Sequence, residues 1–107
     1  MFSLFSKNNS VERSAEEQAQ VDVQTKRLAL YQTETCPYCA RVRDAIDQLS
    51  LNIEKRSRLD PQHRADLIAG GGKPQVPALR IEQEDGSVEW MYESSDIIGY
   101  LKERFGK

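Results

Sequence analysis

Arg27-Leu28-Ala29-Leu30-Tyr31 runs through Gln32-Thr33-Glu34-Thr35 into Cys36-Pro37-Tyr38-Cys39, and this stretch sets the fold. The short apolar run predicts a buried strand over 27–31, closed off by the polar Thr33-Glu34-Thr35. From Pro37 onward Val42, Ala45, Ile46 and Leu49 recur at helical spacing, which predicts a helix over 37–49. That helix buries one stripe and exposes Arg41, Arg43, Asp44 and Asp47. The order is strand, cysteine pair, helix.

Cys36 and Cys39 are the only cysteines in the chain. A structural disulfide between residues three apart would restrict the unfolded chain very little, so their closeness calls for a chemical reason. With Cys36 as N-cap, Pro37 takes the first helical position, where its missing N–H costs nothing. The amides of Tyr38 and Cys39 then point at the Cys36 sulfur, and the positive helix end adds to them. A thiolate held this way has a depressed pKa and is a nucleophile at cellular pH. Cys39, one turn on and more buried, is the candidate resolving thiol. Two other readings are a zinc half-site and a pair of incidental core cysteines. Zinc calls for four ligands, and the sole histidine, His63, is far away in sequence.

Working outward, Ser14 and Glu17 have the spacing of a capping box, and a short extra helix is predicted over 14–25. Residues 1 to about 12 are expected to form a loosely attached tail, with Phe2, Leu4 and Phe5 part of a floppy terminus rather than a contact to a membrane surface. Asn52–Arg56 is a weak strand, expected as the parallel partner after a strand–helix unit. Asp60-Pro61 opens a helix over 61–69 that Gly70-Gly71-Gly72 stops. Strands over 76–81 and 87–91 flank Asp85-Gly86, a hairpin signal. Ser94 or Ser95 caps a last helix with Ile97, Ile98, Leu101 and Phe105 on one face, ended by Gly106. The fold class is therefore α/β: a four-stranded mixed sheet flanked by helices, with an extra N-terminal helix. The expected organisation is a tail and short helix over 1–26 and one domain over 27–107.

At 107 residues and 30% charged content the chain suits one compact domain. A net charge of -2 argues against a polybasic nucleic-acid binder. No apolar run approaches the roughly 20 residues that cross a bilayer. The start has its few apolar residues ahead of Lys7, the wrong order for a signal peptide, so a cytoplasmic location with no membrane partner is expected.

The strand leading into Cys36-Pro37-Tyr38-Cys39 resembles the glutaredoxins, whose dithiol members carry the same four residues; the resemblance implies a thioredoxin-like fold. Gln75-Val76-Pro77 is similar to the family's Thr-Val-Pro segment, which implies a cis proline whose preceding backbone pairs with glutathione. Tyr92-Glu93-Ser94-Ser95-Asp96 departs from the glutaredoxin pattern and is closer to glutathione transferase N-terminal domains. There the Glu-Ser pair and helix N-terminus hold the γ-glutamyl carboxylate. Thr33 stands where many glutaredoxins have a lysine for a glutathione carboxylate, with Lys73, Arg64 and Gln62 as candidate replacements.

The resemblance implies a glutathione-dependent thiol–disulfide oxidoreductase acting on glutathione mixed disulfides and protein disulfides. Cys36 and Cys39 are catalytic, and Pro37, Tyr38, Gln75, Val76, Pro77, Glu93, Ser94 and Ser95 bind glutathione. Glutathione is a co-substrate, no cofactor is tightly bound, no metal is held and the protein is a monomer. The alternatives are a transferase-like or isomerase-like domain, and a glutathione- or iron–sulfur-binding module. His63 is expected to be solvated, and Trp90 and Tyr92 to belong to core or rim.

Overall fold

The computed structural model describes residues 11–106. Its elements are α1 (Ala15–Thr25), β1 (Leu28–Gln32), α2 (Pro37–Gln48), β2 (Glu54–Ser57), α3 (Pro61–Asp66), a π-helical turn (Leu67–Gly71), β3 (Ala78–Glu82), β4 (Val88–Met91) and α4 (Ser94–Phe105). The strands form one sheet in the order β2-β1-β3-β4. β1 and β2 are parallel, while β3 is antiparallel to both β1 and β4. This is the expected thioredoxin-like arrangement, with the extra helix at its N-terminal side.

All five residues of β1 are buried because helices cover both faces of the sheet. Leu28 and Leu30 point into the larger core, with Val42 and Ile46 of α2 and Ile97, Leu101 and Phe105 of α4. Ala29 and Tyr31 point the other way, onto Leu67, Ala78 and the partly buried Trp90 and Tyr92. β2 starts two residues later than the expected Asn52 and runs Glu54–Ser57. It is an edge strand whose four side chains are all polar, so pairing with β1 rather than apolar pattern sets its bounds.

Three expectations need correcting. The tail was expected to reach about residue 12, yet Val11 is docked. Its N–H donates to Gln48 O at 2.7 Å, and Ser50 Oγ donates to Val11 O at 2.7 Å. The remainder of the expected tail, with Phe2, Leu4, Phe5 and Lys7, lies outside the described residues. The glycine run does not stop the second helix at residue 69. Helical winding continues through Gly71, and only Gly72, at φ 89°, reverses the chain. Gly70 and Gly71 are used for close packing: a Cβ on Gly70 would stand 2.5 Å from Trp90 Nε1, and one on Gly71 would overlap the Tyr92 hydroxyl. His63 is half-buried rather than solvated. Its ring lies edge-on to Tyr31 and its Nδ1 is 3.2 Å from Ser57 O.

The capping box of Ser14 and Glu17 is present as expected. Arg13, just before it, ties the base of the fold together. Its guanidinium donates to Leu49 O at 2.8 Å, past the end of α2, and to Phe105 O at 2.7 Å, at the end of α4. Both carbonyls belong to helix ends that have no further turn to satisfy them. Arg13→Ala should therefore cost about 1–2 kcal/mol and lower the thermal midpoint by several degrees, measured by circular dichroism, without changing Cys36 reactivity.

Candidate active site

The three segments singled out in the sequence come to one edge of the sheet. β1 ends at Gln32 and its loop delivers Cys36. Tyr31 pairs with Ala78, so Pro77 leaves β3 at the same edge. Leu79 pairs with Met91, so β4 runs back to that edge and releases Glu93 and Ser94 there. The Val76–Pro77 peptide bond is cis. Pro77 is buried, Val76 and Ser94 are half-buried, and Gln75, Glu93 and Ser95 are exposed.

Cys36 is the N-cap of α2, with extended backbone and Pro37 at the first helical position. The Cys39 N–H donates to Cys36 Sγ at 3.2 Å. Both thiols are free; Cys36 is partly exposed and Cys39 fully buried. Burial alone would raise the Cys36 pKa. The Cys39 thiol, the Cys39 and Tyr38 amides and the charge of Arg43 outweigh it, and the net shift is downward. Cys39 goes the opposite way. Burial, reinforced by its hydrogen bond to Cys36 and the nearby Cys36 charge, pushes its pKa up to about 11. One turn of helix thus holds two thiols with opposite protonation preferences.

Arg43 bears on the thiol pair although nothing in the sequence singled it out. It was expected on the exposed face of α2, but it is half-buried and folds back over the loop before Cys36. Its guanidinium donates to the Gln32 side-chain carbonyl, to Thr33 O at 3.2 Å and to Glu34 O at 3.5 Å. The spacing is compatible with that role: residues 36, 39 and 43 fall on one helical face. Thr33 is buried, and its carbonyl is the one Arg43 holds. Tyr38 is 57% exposed beside Cys36, with the Arg41 guanidinium 5.5 Å from its ring centre.

The start of α4 corrects another expectation. Neither Ser94 nor Ser95 is the cap: both lie inside the first turn, and Glu93 is the N-cap, with no side-chain cap hydrogen bond. Of the candidate lysine replacements, Lys73 lies over the Tyr92 ring at 4.8 Å, and Gln62 donates to Asp66 at 3.1 Å. Arg64 is exposed and shares a groove with Arg58, Leu59 and Pro74, at the strand ends where β2 leaves the sheet. Arg58 donates to Pro74 O at 3.4 Å, next to the cis-proline segment.

Fold and thiol geometry together define a thioredoxin-like domain with a dithiol at the start of a helix. Residues 30–107 match the family model described as glutathione S-transferase, N-terminal domain, and the chain belongs to that family. Its sequence is 36% identical over 76 residues to prostaglandin E synthase 2 of Mus musculus, covering 71% of this chain and 19% of that protein. Among solved structures, a maleylacetoacetate isomerase from Anaeromyxobacter dehalogenans, holding dicarboxyethyl glutathione and citrate in its active site, superposes with a TM-score of 0.57. That match has 28% identity and covers 75% of this chain and 37% of the isomerase. The Leishmania TDR1 glutathione transferase, described as trimeric, gives 0.58 with 27% identity, over 73% of this chain and 18% of that one. The chain thus spans about a fifth of the mouse protein and under two fifths of the isomerase. No helix among the described residues is long and apolar enough to cross a membrane.

The opposed thiol shifts predict selective alkylation. Because the folded Cys36 pKa is depressed, its thiolate is present above that pKa and is lost only as pH falls through it. Iodoacetamide should therefore modify Cys36 first, with a pH midpoint below the ordinary thiol value of about 8.5. Mass spectrometry should find Cys39 unmodified at neutral pH, and Arg43→Gln should move the Cys36 midpoint upward.

Proposed function

We propose that this domain is a glutathione-dependent thiol–disulfide oxidoreductase of glutaredoxin type, acting on glutathione mixed disulfides and protein disulfides. The observation that carries this reading is the pairing of a capped, low-pKa thiol at Cys36 with a buried, high-pKa thiol at Cys39. Cys36 thiolate attacks the glutathione sulfur of a mixed disulfide. A new S–S bond forms, the old one breaks, and the released thiolate takes a proton from water. The thiolate of a second glutathione then displaces Cys36, giving glutathione disulfide and restoring the Cys36 thiolate.

In the dithiol route Cys36 first joins the target protein, and Cys39 must lose its proton before it attacks that bond. At a pKa of about 11, roughly one Cys39 in ten thousand is ionised at pH 7. Two of the influences that raise it, the hydrogen bond to Cys36 and the Cys36 charge, disappear once Cys36 is in a mixed disulfide. Cys39 is thus held back until a substrate has been captured.

Glutathione would lie along the sheet edge. The backbone before cis Pro77 would pair with its cysteinyl group, with Gln75, Val76, Pro37 and Tyr38 around it. Its γ-glutamyl carboxylate would meet Glu93-Ser94-Ser95 at the start of α4, where the N-cap side chain leaves N–H donors untaken. Arg64, with Arg58 beside it in the same groove, would meet the glycyl carboxylate in place of the missing lysine at position 33. The domain is proposed to work as a monomer in the cytoplasm, with glutathione as co-substrate.

The family match favours one second reading: Cys36 uses glutathione on a small electrophile, as a transferase or isomerase would. Coupled assays separate the two. With a glutathione mixed disulfide, glutathione and glutathione reductase, the wild type should turn over; Cys36→Ser should lose all turnover and Cys39→Ser should retain it. Reduction of a protein disulfide should fall at least tenfold in Cys39→Ser. Conjugation of glutathione to an aryl halide without disulfide turnover would establish the second reading instead.

A further inference from the structure

On the sheet face that carries α3, across the sheet from the main core, lies a cavity of about 370 Å³. Tyr31, Arg56, Asp66, Arg80 and Trp90 line it, with Gly70 at the end of the π-helical turn. None of these belongs to the cysteine motif, the cis-proline segment or the start of α4. The sheet register explains the opening: Arg80 in β3 lies between Ala29 of β1 and Trp90 of β4, and Ala29 is too small to fill the space beside it.

The charged groups around the cavity are unequally satisfied. Arg56 is held by both carboxylate oxygens of Glu54, at 3.0 and 3.1 Å, and donates to the Tyr31 hydroxyl at 2.7 Å. Asp66 accepts from that hydroxyl at 3.2 Å and from Gln62 at 3.1 Å. Arg80 differs. Its side chain is only 30% exposed, its one ion pair among the described residues is with Glu82 at 3.8 Å, and its guanidinium makes no hydrogen bond to them. A guanidinium carries five N–H donors, and leaving them unmade in a largely buried place is costly.

We propose that this cavity is a second ligand site that takes a small aromatic monocarboxylate, its carboxylate on Arg80 and its ring against the Trp90 indole. The inference does not depend on the redox reading. A monoanion is favoured because Asp66 in the wall repels a second negative charge. A flat apolar body is favoured because the rest of the wall is Trp90, Ala69 and Val88, and the close packing of Gly70 on the indole leaves a narrow slot. The volume lies at the small end of ligand pockets, which run from about 300 to 1,000 Å³.

Trp90 is the only tryptophan of the chain, so its fluorescence reports on this cavity alone. Titration of the whole chain with benzoate should give a saturable change in Trp90 emission, and benzamide, of the same shape but uncharged, should give none. Arg80→Gln should weaken benzoate at least tenfold, while Glu82→Gln, which frees Arg80 of its loose partner, should tighten it. The proposal is overturned if benzoate gives no saturable change, if benzamide binds equally well, or if a folded Arg80→Gln variant binds benzoate undiminished. Should Arg80→Gln fail to fold, the benzamide comparison and the exposed Glu82→Gln variant still decide the matter. Loss of disulfide turnover without loss of benzoate binding would count against the redox reading alone.

Discussion

The contact on which the site depends is the hydrogen bond from the Cys39 amide to the Cys36 sulfur. A helix start leaves N–H groups without partners, and most chains satisfy one with a hydroxyl or carboxylate. Here a thiol does it, so the interaction that closes the end of α2 also lowers the pKa of Cys36. The same turn places Cys39 in the core, where burial keeps it protonated. Local helix geometry alone would shift one thiol. It takes the packed interior to shift the other in the opposite direction.

That arrangement needs a rigid support on its strand side, and β1 supplies it. With both faces covered and every residue buried, β1 fixes where the loop over 33–35 begins. Arg43 then clamps the loop from the far side, by way of Gln32, Thr33 and Glu34. Its charge adds to the depression of Cys36, so one side chain both orders the loop and favours the thiolate. The antiparallel register of β3 and β4 brings the cis-proline segment and the start of α4 to the same edge. A shift of one residue in either pairing would swap that strand's core-facing and outward side chains.

Membership of the glutathione S-transferase N-terminal domain family sits beside a dithiol motif of glutaredoxin appearance. The two fit on one scaffold because each uses a different part of the same sheet edge. The motif occupies the start of α2, and the Glu-Ser pair occupies the start of α4. Residues 11–26 lie ahead of the matched region. Arg13 nevertheless binds them to the ends of α2 and α4, and Val11 and Val21 pack against the main core.

The element order, the capped α1, the Cys36 cap with its proline and the hairpin at Asp85-Gly86 are all legible along the chain. Each of these is local: spacing, cap chemistry and turn residues act over a few positions, and the periods of helix and strand are visible in one dimension. The tertiary structure decided the rest. Gly70 and Gly71 read as helix breakers, yet they are packing surfaces for Trp90 and Tyr92, a role set by rings about twenty residues away. Ser94 read as a cap, and the backbone placed Glu93 there instead. Arg43 read as solvent-facing, and His63 as solvated, until the loop and Tyr31 were brought against them. Charge and burial depend on what lies across a gap in space, and no spacing along the chain encodes that distance.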